Sequence, residues 1–233
     1  MPQKKIGRLI YLPNGQTRTL VNILLIKKSH PSGEIRWPKL ELRIRIIKFN
    51  FKFKGMILSD KRILEEMEKG TIRISPYQAD CLGSNSYDVH LSKWLATYDA
   101  EILDAKKHNT ITPFEIPEEG IVLEPHKFYL GVTLEYTETH AHVPFLEGKS
   151  STGRLGIDIH ATAGKGDVGF CGNWTLEISV KQPVRVYGGM PIGQLIYFPV
   201  DGEVNVKYNN KGSAKYSGQG DRPVESMMWK NKF

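Results

Sequence analysis

The chain has 233 residues, with 32 Lys plus Arg against 25 Asp plus Glu and a formal net charge of +7. That length suits one domain, or one with an extension, and a 40% hydrophobic, 24% charged composition excludes wholesale disorder. Two cysteines, Cys81 and Cys171, exclude a disulfide framework or a Cys-rich zinc site, and no apolar run reaches the roughly 18 residues of a transmembrane helix.

Residues 1–55 carry 13 Lys and Arg against Glu34 and Glu41, a net of +11. Residues 56–233 hold the other 19 bases and 23 acids, a net of −4. A polyanion-binding reading of the basicity therefore applies to the first quarter alone. Val21 to Ile26 is too short for a signal-peptide core, and no small-residue cleavage site follows it. Leu42 to Lys54 (LRIRIIKFNFKFK) alternates apolar and basic residues but slips by one at Ile46–Ile47, which asks for a bulge if it is a strand. The stretch reads as a basic extension, disordered or translated from upstream of a working start at Met56. An arm for nucleic acid or acidic membrane is the less favoured reading.

After Met56 the pattern changes. Ser59 caps a short helix, with Ile63, Leu64 and Met67 on one face and Gly70 as its stop. Strand-like pieces follow between Gly, Pro and Asn: Ser86–Leu91, Gly120–Leu123, Phe128–Thr133, Trp174–Val180, Gln194–Phe198 and Glu203–Tyr208. Many short strands with frequent turns predict a mainly β barrel or sandwich, one domain over 56–233 with a leading helix.

The densest polar chemistry lies in Gly148 to Gly172, GKSSTGRLGIDIHATAGKGDVGFCG, followed by NWTLEISV. Lys149, Ser150, Ser151 and Arg154 set two cations and two hydroxyls among glycines, donors that suit phosphate. The glycine spacing is not that of a Walker loop, and taken alone such a turn reads as solvated. Glu177 shares a strand face with Thr175 and Ser179, opposite Trp174, Leu176 and Ile178. Pattern alone makes it an exposed glutamate on an edge strand. Asp167 reads as a turn former, and His160 as a satisfied core residue.

Taken together and in order, several motifs resemble the dCTP deaminase family. They are SYDVHL at 86–91, KSSTGRLG at 149–156, His160 through TAGKGD to Gly169-Phe170, TLE at 175–177, Tyr208-Asn209, and Ala214-Lys215-Tyr216 with Gln219. The match covers essentially all of the chain after Met56 and none of residues 1–55. It implies the trimeric dUTPase-like fold, mainly β, a distorted jelly-roll or β-barrel of the β-clip type with a short N-terminal helix. It also implies hydrolytic deamination of dCTP to dUTP and ammonia, in the supply of dUMP and dTTP.

By the same resemblance, Lys149 (usually Arg in the family), Ser150, Ser151, Thr152, Gly153 and Arg154 bind the triphosphate. Asp167 contacts the deoxyribose 3′-hydroxyl, and Thr175, Leu176 and Glu177 line the base. Tyr208, Lys215 and Gln219 belong to a C-terminal segment that closes over the phosphates. Glu177, Ser150, Arg154 and Ala163 make up the catalytic set. Glu177 is the base that activates water against C4 of cytosine and later delivers protons to departing ammonia.

Neither cysteine lies in an H-x-E or P-C-x-x-C pattern, so no catalytic zinc is expected, and Mg²⁺ enters on the nucleotide. Gly164 resembles members that carry dUTP on to dUMP, where several deaminase-only relatives have His. Lys165-Gly166, in contrast, departs from the bulky pair common before Asp167. The expectation is deamination alone, with a bifunctional enzyme forming dUMP and pyrophosphate as the alternative. A plain dUTPase is disfavoured by Glu177, and a basic-arm nucleic-acid-binding module leaves the motifs of 149–219 unexplained. The resemblance further implies a homotrimer with sites at its interfaces. With no signal or anchor pattern, a cytoplasmic location is expected, without membrane or nucleic-acid partners.

Overall fold

In the computed structural model, residues 56–233 are described throughout, and of residues 1–55 only the backbone of three strands. Those strands, β1 (Ile6–Ile10), β2 (Arg18–Ile26) and β3 (Glu41–Phe49), form an antiparallel sheet within the unit Met1–Lys54. The β2–β3 ladder runs from Arg18–Phe49 to Ile26–Glu41 without a register shift, so no bulge marks the slip at Ile46–Ile47. The rest of this stretch, on which the reading as a disordered extension or displaced start also bears, lies outside the described residues.

The unit Gly55–Phe233 opens with α1 (Asp60–Glu68), where the Ser59 hydroxyl accepts from the Arg62 amide at 3.3 Å. Its inward face differs from expectation. Ile63 is buried and Met67 half-buried, but Leu64 is exposed and Glu66 takes the buried position. The reason is a ready-made polar nest: Arg62 and Lys69 reach Glu66 Oε1 at 2.8 and 2.9 Å, and the Thr71 hydroxyl donates to Oε2 at 2.5 Å. Burial pushes the Glu66 carboxyl up, but these donors outweigh it and hold the group below the usual carboxylate range.

Twelve strands follow in chain order. They are β4 (Ile72–Ser75), β5 (Tyr87–Tyr98), β6 (Ile111–Glu115), β7 (Ile121–Leu123), β8 (Tyr129–Thr133), β9 (Tyr136–Thr139), β10 (His142–Gly148), β11 (Ile157–Asp158), β12 (Cys171–Gly172), β13 (Thr175–Val180), β14 (Val184–Val186) and β15 (Pro191–Pro199). A second helix of one turn, α2 (Ser150–Arg154), joins β10 to β11. The main sheet runs β10-β15-β5-β8-β13-β11, with β6 also on β5; β12-β9-β4 and β14-β7 form two smaller sheets. All these pairings are antiparallel.

The strand period of two selects the core. Tyr87, Val89, Leu91 and Leu95 of β5 meet Leu176 and Ile178 of β13 and Ile192, Leu195 and Tyr197 of β15, all fully buried. The result is the expected mainly β, nearly closed barrel with a leading helix. One predicted strand is missing. Val204 and Val206 are exposed, and the chain instead turns at Tyr208, whose amide donates to the Val168 carbonyl at 2.8 Å and opens a 3₁₀ turn over Tyr208–Asn210. The alternation there has no partner strand to face. Among the described residues, no helix is long and apolar enough to cross a membrane.

Candidate functional site

Glu177 sits on an inner strand, not on an edge. It pairs with Leu130 of β8, and its amide donates to the Ile159 carbonyl at 2.9 Å, just past β11. Burial of Leu176, Ile178 and Val180 leaves Thr175, Glu177 and Ser179 half-buried on the other face, as the alternation predicts. The Glu177 Oε2 accepts the Ala161 amide at 2.8 Å. The exposed loop containing Ala163 therefore begins beside the carboxylate.

That loop is packed through its glycines. A Cβ on Gly164 would stand 2.6 Å from the Leu146 carbonyl oxygen and 3.0 Å from His160 Nε2, while Leu146 already donates to the Gly164 carbonyl at 2.7 Å. A Cβ on Gly166 would stand 2.6 Å from the Trp174 ring. Gly166 is thus packed closely on Trp174, with no room for a side chain there, while Lys165 beside it is exposed. Lys165 Nζ holds Asp167 Oδ1 at 2.6 Å, both about half exposed. His160 is only half-satisfied, contrary to the core reading. Its Nδ1 is buried without a partner, and Nε2 lies 3.5 Å from Glu147.

The phosphate-binding candidates lie on and before α2. Lys149 ends β10's excursion beside β15, where its amide faces the Ile192 carbonyl, and its ammonium is paired with Asp88 of β5. Ser150, Ser151, Gly153 and Arg154 are exposed. Thr152 is 2% exposed and Leu176 is buried completely, so these two could offer a ligand only their backbone. Gly156 ties α2 to the end of β13, its carbonyl accepting the Lys181 amide at 2.9 Å.

Of the C-terminal candidates, Gln219 docks on β13. Thr175 Oγ1 donates to Gln219 Oε1 at 2.6 Å and accepts the Val224 amide at 3.2 Å, while the Asn173 amide donates to the Gln219 carbonyl at 3.0 Å. The Tyr208 hydroxyl accepts the Tyr216 amide at 3.1 Å, and its ring lies 6.3 Å from Phe170, which packs on Trp174 at 4.6 Å. Lys215 is engaged with Asn231. Tyr98 accepts the Ser226 amide at 3.0 Å; burial above all, then the nearby Tyr216, Glu225 and Glu177, push its hydroxyl pKa up.

Two clusters result. Thr175 and Glu177 share a face of β13 with Gln219 docked on Thr175, and Tyr208 lies beside Phe170, which packs on Trp174. Among the described residues, no hydrogen bond or ion pair joins Ser150, Ser151 or Arg154 to Glu177, Tyr208, Lys215 or Gln219. The residue-by-residue reading passed over Asp88, Asn173, Tyr98 and Tyr216. Asp88 stands inside the SYDVHL motif, Tyr216 inside Ala214-Lys215-Tyr216 and Asn173 directly before Trp174, so these three were within reach; Tyr98 gave no local signal.

A family model described as dCTP deaminase-like matches residues 57–200. A "dCTP deaminase, dUMP-forming" from Cytophaga hutchinsonii is 49% identical over 177 residues, covering 76% of this chain and 98% of that one. One of the same description from Clostridium acetobutylicum gives the same identity and coverage, and one from Leptospira biflexa is 48% identical over 176 residues, again 76% and 98%. The solved 2'-deoxycytidine 5'-triphosphate deaminase from Agrobacterium tumefaciens superposes with a TM-score of 0.52 at 22% identity, covering 64% of this chain and 50% of that one, and so bears on the fold.

Proposed function

The chain belongs to the dCTP deaminase-like family, and from that premise we propose that it deaminates dCTP and hydrolyses the resulting dUTP to dUMP at one site, without releasing dUTP. The observation that carries this reading is the match, at 49% identity over 98% of their length, to relatives named for dUMP formation. Gly164 supports it, since no side chain fits between Leu146 and His160. The reading departs from deamination alone, which rested on Lys165-Gly166; the close approach of Trp174 gives Gly166 a packing reason of its own.

Glu177, oriented by the Ala161 amide, takes a proton from water as its oxygen attacks C4 of cytosine. It then passes protons to the amino group, the C4–N bond breaks, and ammonia leaves a uracil. A second water attacks the α-phosphorus, the bond to the bridging oxygen breaks, and pyrophosphate departs. Lys149, Ser150, Ser151, Arg154 and Lys215 supply ammonium, guanidinium and hydroxyl donors, a set that suits phosphate oxygens and leaves Mg²⁺ to arrive on the triphosphate. Lys165 must yield Asp167 to the ribose hydroxyl. Ser150, Ser151 and Arg154, exposed and free of intrachain links to Glu177, serve a site shared between copies in a homotrimer.

Incubation of the protein with dCTP and Mg²⁺, followed by separation of nucleotides, tests this. Equal amounts of dUMP, ammonia and pyrophosphate are expected. Accumulation of dUTP would restore deamination alone, and turnover of dUTP without dCTP would make the protein a plain dUTPase.

A further inference from the structure

On the half-buried face of the β12-β9-β4 sheet, Glu138, His140 and Cys171 bring a carboxylate oxygen, an imidazole nitrogen and a thiol within 4.8 Å of one another. Cys171 of β12 is the direct cross-strand partner of Glu138 of β9, and His140 follows two residues on, just past the strand. The strand period turns these side chains to one face while Thr137 and Thr139 are buried on the other.

The backbone holds this arrangement by itself. Thr139 donates to the Phe170 carbonyl at 3.1 Å, Gly169 donates to the Thr139 carbonyl at 2.6 Å, and His140 donates to the Thr71 carbonyl at 2.8 Å. Around it, Arg73 holds Glu138 Oε1 at 3.3 Å and so leaves Oε2 facing His140 Nε2 at 2.9 Å. A Glu–His hydrogen bond on a strand needs no further purpose. It does not account for a thiol within 4.8 Å of both atoms from the neighbouring strand, whose one hydrogen bond among the described residues is a weak one to the Gly169 carbonyl at 3.6 Å.

We propose that Glu138, His140 and Cys171 bind one zinc-class divalent cation, with a fourth position left to water. For tetrahedral S, N and O ligands at about 2.0–2.3 Å from an ion, the sulfur closes in slightly and the Glu138–His140 pair, now 2.9 Å apart, opens slightly. A thiolate and an imidazole select Zn²⁺ or Co²⁺ over Mg²⁺. On binding, the Cys171 thiol gives its proton to solvent, and Arg73 remains behind the carboxylate as an orienting partner. Glu177 takes no part, so the inference stands independently of the proposed reaction. The Cys171 carbonyl accepts the Gly218 amide at 2.7 Å and Gly172 bridges to Gln219, so the cation would pin the shelf on which the C-terminal segment docks.

Cys81 offers a built-in control. His90 Nε2 lies 4.0 Å from its sulfur, but Glu135 sits 2.6 Å from Nδ1, on the other side of the ring, so these three donors do not converge.

Tag-free, reduced, chelator-stripped full chain is titrated with Co²⁺ and then Zn²⁺. One Co²⁺ per chain is expected, with thiolate-to-cobalt charge-transfer absorption that Zn²⁺ abolishes. Cys81→Ser retains the band and Cys171→Ser loses it, with metal-free unfolding temperatures unchanged. His140→Gln weakens Co²⁺ binding by roughly 10–100-fold or more. Absence of the band in the wild type, its persistence in Cys171→Ser, or its loss in Cys81→Ser overturns the site. Alkylation of the wild type needs no variant: Zn²⁺ slows modification of Cys171, and equal rates with and without Zn²⁺ overturn the site as well.

Discussion

Strand β13 and the segment from Lys207 to Phe233 meet at Thr175, yet they are built from different interactions. β13 is hydrogen-bonded to β8 on one edge and to β11 and Ile159 on the other, with Leu176, Ile178 and Val180 in the core. The C-terminal segment has no regular element beyond two 3₁₀ turns, and Pro223 is its one buried residue. Separate polar pins hold it: Tyr208 to Tyr216, Gln219 to Thr175, Ser226 to Tyr98, Glu225 to His108 at 2.9 Å, and Arg222 over the Trp94 ring. A ladder buried on one face holds the Glu177 carboxylate in place on the other. Pins of about 0.5–1.5 kcal/mol each can be broken and remade, which the closure over phosphates implied by the family resemblance would require.

The contrast is broken most severely by Glu177→Gln, which keeps the strand but cannot take a proton. Ammonia release from dCTP should fall about 10²–10⁴-fold while calorimetry shows nucleotide binding retained. Lost binding with normal turnover of what does bind would make Glu177 a binding residue only. Leu176→Ala, on the same strand but facing the core, should cost about 2–5 kcal/mol in denaturant unfolding. A cost near zero would mean the wall is not held by its buried face.

On the pinned side the effects are smaller. Gln219→Ala removes one hydrogen bond to Thr175 and should raise KM for dCTP by about 3- to 10-fold with little change in kcat. An equal fall in kcat would assign Gln219 to the chemistry instead.

Acid weakens both regions, in different pH windows. Burial lowers the pKa of His142, at the start of β10, below the ordinary imidazole value of 6.5, with Glu66 partly opposing and Arg62 and Lys69 reinforcing. Below pH 6.5 the unfolded chain therefore takes up a proton that the folded chain resists, and barrel stability falls as pH falls. Burial raises the Glu225 carboxyl, but the His108 hydrogen bond outweighs it and holds the group below 4.5. Its contribution is present above that value and is lost only as pH drops through the lowered folded pKa. Unfolding free energy measured against pH should lose its slope just below 6.5 in His142→Gln. Parallel curves for the two proteins would refute this.

What was legible in the sequence was local. The alternation through Trp174–Val180 gave the face of Glu177 correctly, and the ordered motifs gave the family, because both are written in adjacent residues. Whether β13 was an edge depended on β8 and β11, which no local pattern reports. Val204 and Val206 looked like a strand because alternation is blind to a missing partner, and Leu64 looked buried because hydropathy does not see Arg62, Lys69 and Thr71 gathering around Glu66. Lys165-Gly166 read as a loss until Trp174 was seen against Gly166. The docking of Gln219 and Ser226, and the meeting of Glu138 with Cys171, join residues far apart in the chain, so spacing could not reveal them.

On the proposed reaction, the β13 wall carries out deamination while the C-terminal segment retains dUTP until it is hydrolysed. A chase with the wild-type protein tests it directly: labelled dCTP is turned over in Mg²⁺ with a large excess of unlabelled dUTP. Label passing into dUMP without dilution, and none in the dUTP pool, is the predicted result. Label accumulating in the dUTP pool, with dUMP formed only from the mixed pool, would contradict it.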